Sequence, residues 1–424
     1  MKRWWGALAL IGLLLLLAVL LAPGGRRLTE SLALLADIWK LGRPAGAEDP
    51  VDRPPLTIAY QGPGGEDRTA DLYCSAATPP GARLVLIHGL VETGREDARL
   101  RALGRAFARH RFMVLVPDLP GMRALRAGLQ DIDEVRAALD ALHMWSACPP
   151  PAPRGEPAAP PGSPGVDLPT GVVGFSYSSG PVLLALDRDS PGADFAVLFG
   201  GYYDLWDVVL YLTTGRYRDA AQDHDGEALP GGRWVLLEAN AAAIADGAER
   251  EALVAIARRR RLDAGAPIDD LLAGLGPDAR AALDLLTNTD PDRFNALRAG
   301  VATRLRDVID QLSPARALRR PLAIDLYLLH GRSDAIVPYT QTRTMADQLP
   351  VTGRLQVAIL GSFQHARPAP GDGTWWSTAL QAPGDSWRLL AMLGDLLERR
   401  RPAGPAPPHG GDPLAGTGLD RSGG

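Results

Sequence analysis

Cysteine is scarce in this chain of 424 residues, which has only Cys74 and Cys148. Neither has the spacing of a metal ligand, and a single pair cannot define a disulfide framework. We therefore expect two separate buried thiols, with pairing left open if the domain lies outside the cytoplasm. A net charge of −4 gives no electrostatic case for a nucleic-acid partner. No internal repeat is apparent, and nothing in the chain indicates a metal or an organic cofactor.

The N-terminal segment is the one strong targeting signal. Lys2 and Arg3 precede an uncharged, mainly apolar run over residues 4–22. At about 1.5 Å per residue a helix of this run comes close to the ~30 Å hydrocarbon core of a bilayer. We predict an uncleaved, single-pass anchor; the alternative is a signal peptide, whose cleavage site is hard to place because Pro23 follows the run. Our expected orientation puts the rest of the chain outside the cytoplasm, in the periplasm if the source is bacterial.

The chain beyond the anchor alternates buried strands with amphipathic helices, which predicts α/β architecture with a mostly parallel sheet covered on both faces. Residues 202–318 break this alternation and read as helices with scarcely a strand. Residues 28–40 have helical periodicity and predict either a juxtamembrane helix or a helix that packs on the domain. The predicted division is therefore an anchor (1–27), a helix and linker (28–55), a core (56–201 and 319–400), a helical cap (202–318) and a disordered tail (401–424).

The most informative stretch is V-V-G-F-S-Y-S-S-G, residues 172–180. β-branched residues followed by small ones indicate a buried strand that turns sharply into a helix, with Ser176 at the apex. Such a turn exposes the serine hydroxyl above the sheet edge, and its flanks must be small. Gly174 meets this demand, whereas Ser178 stands where G-x-S-x-G has its second flanking glycine.

A serine nucleophile needs a base, and the base needs an acid that orients it. His365 follows the last predicted strand, so it can meet Ser176 at the carboxyl edge of a parallel sheet; a loop histidine without a role is the alternative. Asp334 follows another buried strand in H-G-R-S-D and is the preferred acid, with helix capping as its alternative role. Asp204 is the second candidate for the acid.

Two backbone N–H groups are expected to bind the developing oxyanion. Tyr177 supplies one at the start of the helix after the nucleophile. Leu90 is expected to supply the other, because Gly89 lets the chain turn tightly after a buried strand.

We call the strand-to-helix turn at Ser176 the elbow. In chain order, the motifs are His88-Gly89, the elbow, the Asp334 turn followed by Val337-Pro338, and His365. Together they resemble the α/β-hydrolase superfamily over about residues 56–399. The Ser, Asp, His order is the one this superfamily shows. The resemblance implies a mostly parallel eight-stranded sheet with a cap inserted after the sixth strand.

The expected function is a membrane-anchored serine hydrolase that cleaves carboxylic esters, lipid or other apolar acyl esters among them, through an acyl-enzyme. The same triad serves acyltransferases, thioesterases and peptidases, and a non-catalytic binding protein of this fold is the alternative from another class. A haloalkane dehalogenase is disfavoured because it needs an aspartate at the elbow. The expected partners are an ester substrate and, through the anchor, a membrane; the oligomeric state stays open.

Overall fold

A computed structural model describes most of the chain. The described residues are 23–41, 54–75, 77–145, 147–149, 168–187, 192–219, 222–361, 363–364, 367–368 and 383–401. The predicted anchor at residues 4–22, the Pro-rich run 150–167 and the tail 402–424 lie outside them.

One sheet of eight strands forms the centre, in the spatial order β1-β2-β4-β3-β5-β6-β9-β10. β2 is antiparallel to both of its neighbours, and all the other neighbours are parallel. The strands are β1 Leu56–Gln61, β2 Asp67–Tyr73, β3 Ala82–Ile87, β4 Phe112–Pro117, β5 Thr170–Phe175, β6 Phe195–Phe199, β9 Asp325–Gly331 and β10 Leu355–Leu360. This mostly parallel sheet, interrupted after its sixth strand, confirms the predicted α/β-hydrolase fold class.

Helices cover both faces of the sheet because the central strands are apolar on both sides; every residue of β3 and of β4 is buried. Two hydrophobic clusters result, one for each face. The helices of the core are α1 Pro23–Leu41, α2 Ala98–Arg109, α3 Pro120–Arg123, α4 Gln130–His143, α5 Ser179–Leu186, α14 Thr340–Gln348 and α15 Pro383–Glu398. Two antiparallel strands of two residues each, β11 Phe363–Gln364 and β12 Arg367–Pro368, follow β10.

The segment between β6 and β9 is mainly helical, as expected. Its helices are α6 Leu205–Thr214, α7 Gly232–Asn240, α8 Gly247–Leu262, α9 Asp269–Leu272, α10 Pro277–Thr287, α11 Phe294–Gly300, α12 Thr303–Leu312 and α13 Pro314–Ala317. Residues 294–312 form two helices, because Val301 between them is extended. One detail differs from the prediction. A two-stranded ribbon, β7 Arg216–Asp219 and β8 Gln222–Asp225, stands among the helices; its polar strands lack the apolar alternation that would have marked them.

The N-terminal helix α1 packs on the domain, which was one of the two alternatives for this segment. Leu34 is fully buried in the cluster that also holds residues of α2 and α15. Arg27 forms an ion pair with the buried Asp395 of α15. Within the described ranges, no helix combines the length and the apolar character needed to cross a bilayer.

Cys74 and Cys148 form a disulfide, so the expectation of two separate thiols was wrong. One cysteine follows β2 and the other follows α4, and their Cα atoms lie 6.0 Å apart although 74 positions separate them in sequence. Spacing along the chain could not reveal this proximity, because it depends on how the sheet and α4 pack together.

Candidate functional site

Ser176 lies directly after β5, at the turn that leads into α5. Its φ is +54°, and it is one of three non-glycine residues with a positive φ in the described ranges. A side chain in this region is strained, and such strain persists where the surroundings impose it, often at functional sites. Gly174 is required here, because a Cβ at that position would lie 3.2 Å from both Ser179 Cα and Val182 Cγ2. The sequence thus predicts both the nucleophile-elbow turn and its first small flank.

Ser178 takes a structural role that a glycine could not fill. Its side chain is fully buried, and its Oγ accepts a hydrogen bond from the Phe175 N–H at 2.8 Å. The same hydroxyl lies 2.9 Å from the carbonyl oxygen of Ile87 and 3.0 Å from that of Phe175, and its one hydrogen is shared between these two acceptors. The departure from G-x-S-x-G therefore ties the elbow to the end of the neighbouring strand β3.

The loop after β3 lies against the elbow because β3 and β5 are neighbours, with Ile87 paired in register with Gly174. A Cβ on Gly89 would lie 3.0 Å from the Phe175 carbonyl oxygen and 3.5 Å from Ser176 Cβ. Only glycine lets the backbone come this close. Leu90, the predicted donor of one oxyanion contact, is the next residue and is partly buried.

Tyr177, the predicted second donor, has a side chain buried in the core. Its hydroxyl donates to Asp131 Oδ2 at 2.7 Å and accepts from the Gly128 N–H at 3.1 Å. Burial raises the pKa of Asp131 to about 6, although the hydrogen bonds from Tyr177 and Gly128 act in the opposite direction. The residue after the nucleophile is thus held by a buried acid that sequence reasoning did not single out.

Asp334 lies in the turn after β9 and is buried. Its Oδ1 accepts hydrogen bonds from the Ile336 and Val337 N–H groups, at 2.8 and 2.9 Å. The next helix begins only at Thr340, so capping of α14 is not the role of this carboxylate.

His330 is a residue near the acid that sequence reasoning passed over. Its Nε2 lies 3.3 Å from Asp334 Oδ2 and donates to the Val337 carbonyl oxygen at 2.9 Å. Its Nδ1 lies 2.7 Å from Thr342 Oγ1, whose hydroxyl donates to it. The four-residue spacing between His330 and Asp334 around a tight turn was the available signal. This imidazole supports the acid-bearing turn from the side of the core.

Asp204, the second candidate for the acid, has a structural role instead. Its Oδ1 accepts from the Trp206 N–H at 2.9 Å and so caps α6. Its Oδ2 lies 2.7 Å from Arg316 Nη2 of the short helix α13. These contacts favour a structural role for Asp204, at what proves to be a helix start, and Asp334 stays the preferred acid.

His365 lies outside the described residues, so its side chain is not placed relative to Ser176. The strand that leads to it, β10, ends beside the acid-bearing turn, with Leu360 paired in register with Gly331. The Arg332 N–H donates to the Leu360 carbonyl oxygen at 2.9 Å. The described chain thus brings the starting points of the Asp334 turn and the His365 loop side by side.

His88 is buried beside the elbow loop, and its Nδ1 donates to the Gly89 carbonyl oxygen at 2.8 Å. Burial lowers the pKa of this imidazole, which keeps it neutral near pH 7. Among the residues with described positions, no group of three or more His, Cys, Asp or Glu side chains could hold a metal ion.

No protein-family model and no curated protein sequence matches the chain. Prolyl oligopeptidase B from Galerina marginata is similar in structure at 12% identity, with 83% of this chain and 38% of that chain covered and a TM-score of 0.42. An esterase from Pyrococcus furiosus matches at 11% identity, with 85% and 99% covered and a TM-score of 0.42. A puromycin-hydrolyzing peptidase from Mycobacterium tuberculosis matches at 16% identity, with 84% and 39% covered and a TM-score of 0.40. The chain therefore spans only about two fifths of the two peptidases, and no activity is transferred from these likenesses.

Proposed function

We propose that this chain, which has the α/β-hydrolase fold, is a membrane-anchored serine hydrolase that cleaves carboxylic esters through an acyl-enzyme. The observation that carries the proposal is the strained backbone of Ser176, with a φ of +54° at the carboxyl end of a central strand. Strained residues cluster at active sites, and a serine held this way at the end of a central strand is the arrangement of an exposed nucleophile. The buried carboxylate of Asp334, at the carboxyl end of β9, is the second support.

In the proposed reaction, His365 takes the proton of Ser176 as the serine Oγ attacks the ester carbonyl carbon. The carbonyl oxygen becomes an oxyanion, which the N–H groups of Leu90 and Tyr177 stabilise. The intermediate collapses, the bond to the alcohol oxygen breaks, and His365 returns its proton to the departing alcohol. Water then attacks the acyl-enzyme with the same base and releases the acid. Asp334 orients His365 and stabilises its charged form.

A fluorophosphonate probe tests the nucleophile, because it forms a bond only with an activated serine. Labelling of the full chain is expected, and it should disappear in Ser176→Ala. Ser179→Ala is a matched control from the same turn, since Ser179 is fully buried and its Oγ has no hydrogen-bond partner among the residues that the structure describes. Absence of labelling in folded wild type would refute the enzyme and favour the non-catalytic alternative.

The acyl-bond preference needs its own measurement, because esters, thioesters and peptides are cleaved by the same triad. We expect aryl esters of increasing chain length to be hydrolysed faster than the matching thioesters and peptide anilides. Faster cleavage of the anilides would make the protein a peptidase, and acyl transfer to an added alcohol in preference to water would make it an acyltransferase.

An extracytoplasmic location is part of the proposal. Disulfides form and persist in oxidising compartments, and the bond between Cys74 and Cys148 supports such a compartment. An alkaline-phosphatase fusion after Arg399 should be active when expressed in bacteria. An inactive fusion of a stably expressed protein would reverse the proposed orientation.

A further inference from the structure

The helices α1 and α15 run in the same direction. Arg27 in the first half of α1 donates to the Ala391 carbonyl oxygen at 3.2 Å, and its Nε lies 2.6 Å from where a Cβ on Gly394 would be. Ten residues further along α1, Asp37 lies 3.0 Å from His110 Nε2. His110 also accepts a hydrogen bond from Arg400, just past the end of α15. Arg27 also lies 3.4 Å from Glu398, so the first half of α1 lies beside the second half of α15, and its later turns lie beyond the end of α15.

α15 begins at the carboxyl edge of the sheet and runs away from it, and α1 runs in the same direction. Asp385, in the first turn of α15, accepts a hydrogen bond at 2.9 Å from the N–H of Gly361, the residue after β10. At the other end, the Arg401 N–H donates to the Gly81 carbonyl oxygen at 2.8 Å, directly before β3 begins. The first residue of α1, Pro23, is therefore at the end of the helix that is nearer to the sheet edge with Ser176 and Asp334.

Exposed side chains at these helix starts have the character of a membrane-interface surface. Trp387 is 62% exposed, whereas large aromatic side chains usually bury most of their area. The side chains of Arg26 and Arg388 are 77% and 63% exposed, and each forms a surface ion pair, with Glu30 at 3.0 Å and with Asp385 at 3.2 Å. Surface pairs of this kind are weak, so both guanidinium groups can also meet a lipid phosphate. Tryptophan is enriched at the level of lipid headgroups, and basic side chains are attracted to lipid phosphates. We call Arg26, Trp387 and Arg388 the headgroup surface.

We propose that the headgroup surface lies against the polar headgroups of a phospholipid bilayer, so that the carboxyl edge of the sheet faces the membrane and Ser176 takes acyl esters from it. The occupant follows from the chain itself: 22 residues precede Pro23, and residues 4–22 are long and apolar enough to span a bilayer that begins where α1 begins. The substrate half of this inference rests on the proposed hydrolase activity, and the docking half rests only on the proposed anchor.

Site-directed spin labelling tests the docking half on the full chain in phosphatidylcholine vesicles with about one third phosphatidylglycerol, a composition with the surface charge that attracts basic side chains. A nitroxide at Trp387→Cys should show the oxygen and nickel accessibilities of the headgroup layer. Met144→Cys is the control, because Met144 is also an exposed apolar residue, at 44%, but follows the end of α4 on the other face of the sheet. If the nitroxides at positions 387 and 144 both show the oxygen and nickel accessibilities of a label in bulk water, the docking is refuted.

Kinetics test the substrate half. The Trp387→Ser/Arg26→Gln double variant should hydrolyse a long-chain ester embedded in vesicles about fivefold more slowly or worse, since one basic side chain near a bilayer surface is alone worth about that factor. Its rate with a soluble aryl acetate should equal that of wild type, and Met144→Ser should change neither rate. An equal loss with both esters, or no loss with either, would refute delivery from the bilayer. If wild type hydrolyses neither ester, the proposed function fails, and the spin labels still decide the docking.

Discussion

The hydroxyl of Ser178 should contribute measurably to stability, because it is the buried link between the elbow and β3. In Ser178→Ala, the Phe175 N–H and the Ile87 carbonyl oxygen both lose a hydrogen-bond partner, at 2.8 and 2.9 Å in the wild type. Leaving buried polar groups unsatisfied costs about 1–3 kcal/mol. We therefore expect the free energy of unfolding of Ser178→Ala to fall by about 2 kcal/mol.

Ser179→Ala provides a matched comparison within the same turn. Both hydroxyls are fully buried, but within the described part of the chain Ser179 Oγ has no hydrogen-bond partner. Removing a buried hydroxyl that makes no hydrogen bond is expected to be neutral or slightly stabilising, because the desolvation of that hydroxyl is not compensated in the folded protein. The two variants should therefore differ in unfolding free energy by at least about 1 kcal/mol.

Urea denaturation of the two variants and wild type measures this difference, with the slopes checked so that a change in midpoint reports stability. Ser178→Gly, which restores the superfamily glycine, should be less stable still, since glycine in a helix costs about another 1 kcal/mol. Equal midpoints for Ser178→Ala and Ser179→Ala would refute the role assigned to the Ser178 hydroxyl. A Ser178→Gly variant as stable as wild type would refute it independently.

Three further predictions follow from buried or paired groups. Because burial raises the pKa of Asp131 to about 6 in the folded protein, folding favours the protonated carboxyl. As pH rises from about 4 to 6, the unfolding free energy of wild type should fall by up to about 3 kcal/mol relative to that of Asp131→Asn. Unfolding midpoints of the two proteins that change in parallel with pH would contradict this. Replacing both Cys74 and Cys148 by serine should lower the unfolding free energy by up to about 4 kcal/mol, because the disulfide closes a loop of 74 residues in the unfolded chain. An unchanged midpoint of unfolding in denaturant would count against this role of the disulfide. Asp334→Asn should lower kcat for an aryl ester by about 10³–10⁴-fold. Asp204→Asn should leave kcat unchanged and lower the unfolding free energy by about 1 kcal/mol or less, because it only weakens a helix cap. A large loss of kcat in Asp204→Asn but not in Asp334→Asn would exchange the two assignments.

Local sequence was enough to identify the elbow and the strands around it. A buried strand needs continuous apolar residues, and a sharp turn needs small flanks, so both are written in neighbouring positions. Gly174 and Gly89 were singled out for the same reason, since each occupies a place where a Cβ would meet backbone or packed side chains.

Contacts between distant positions were decided only by tertiary structure. The Ser178 hydroxyl bonds a carbonyl 91 positions away, and the disulfide joins residues 74 positions apart. Asp204 and Asp334 looked alike in sequence, each following a buried strand. Packing separated them, because one meets the start of α6 and Arg316 while the other is enclosed beside His330. The sequence by itself determined which residues could do the chemistry and where strands and turns form, since these depend on neighbours along the chain. Which side chains meet, and in which direction α1 runs, depended on strand order and helix packing, which bring together groups that no local pattern relates.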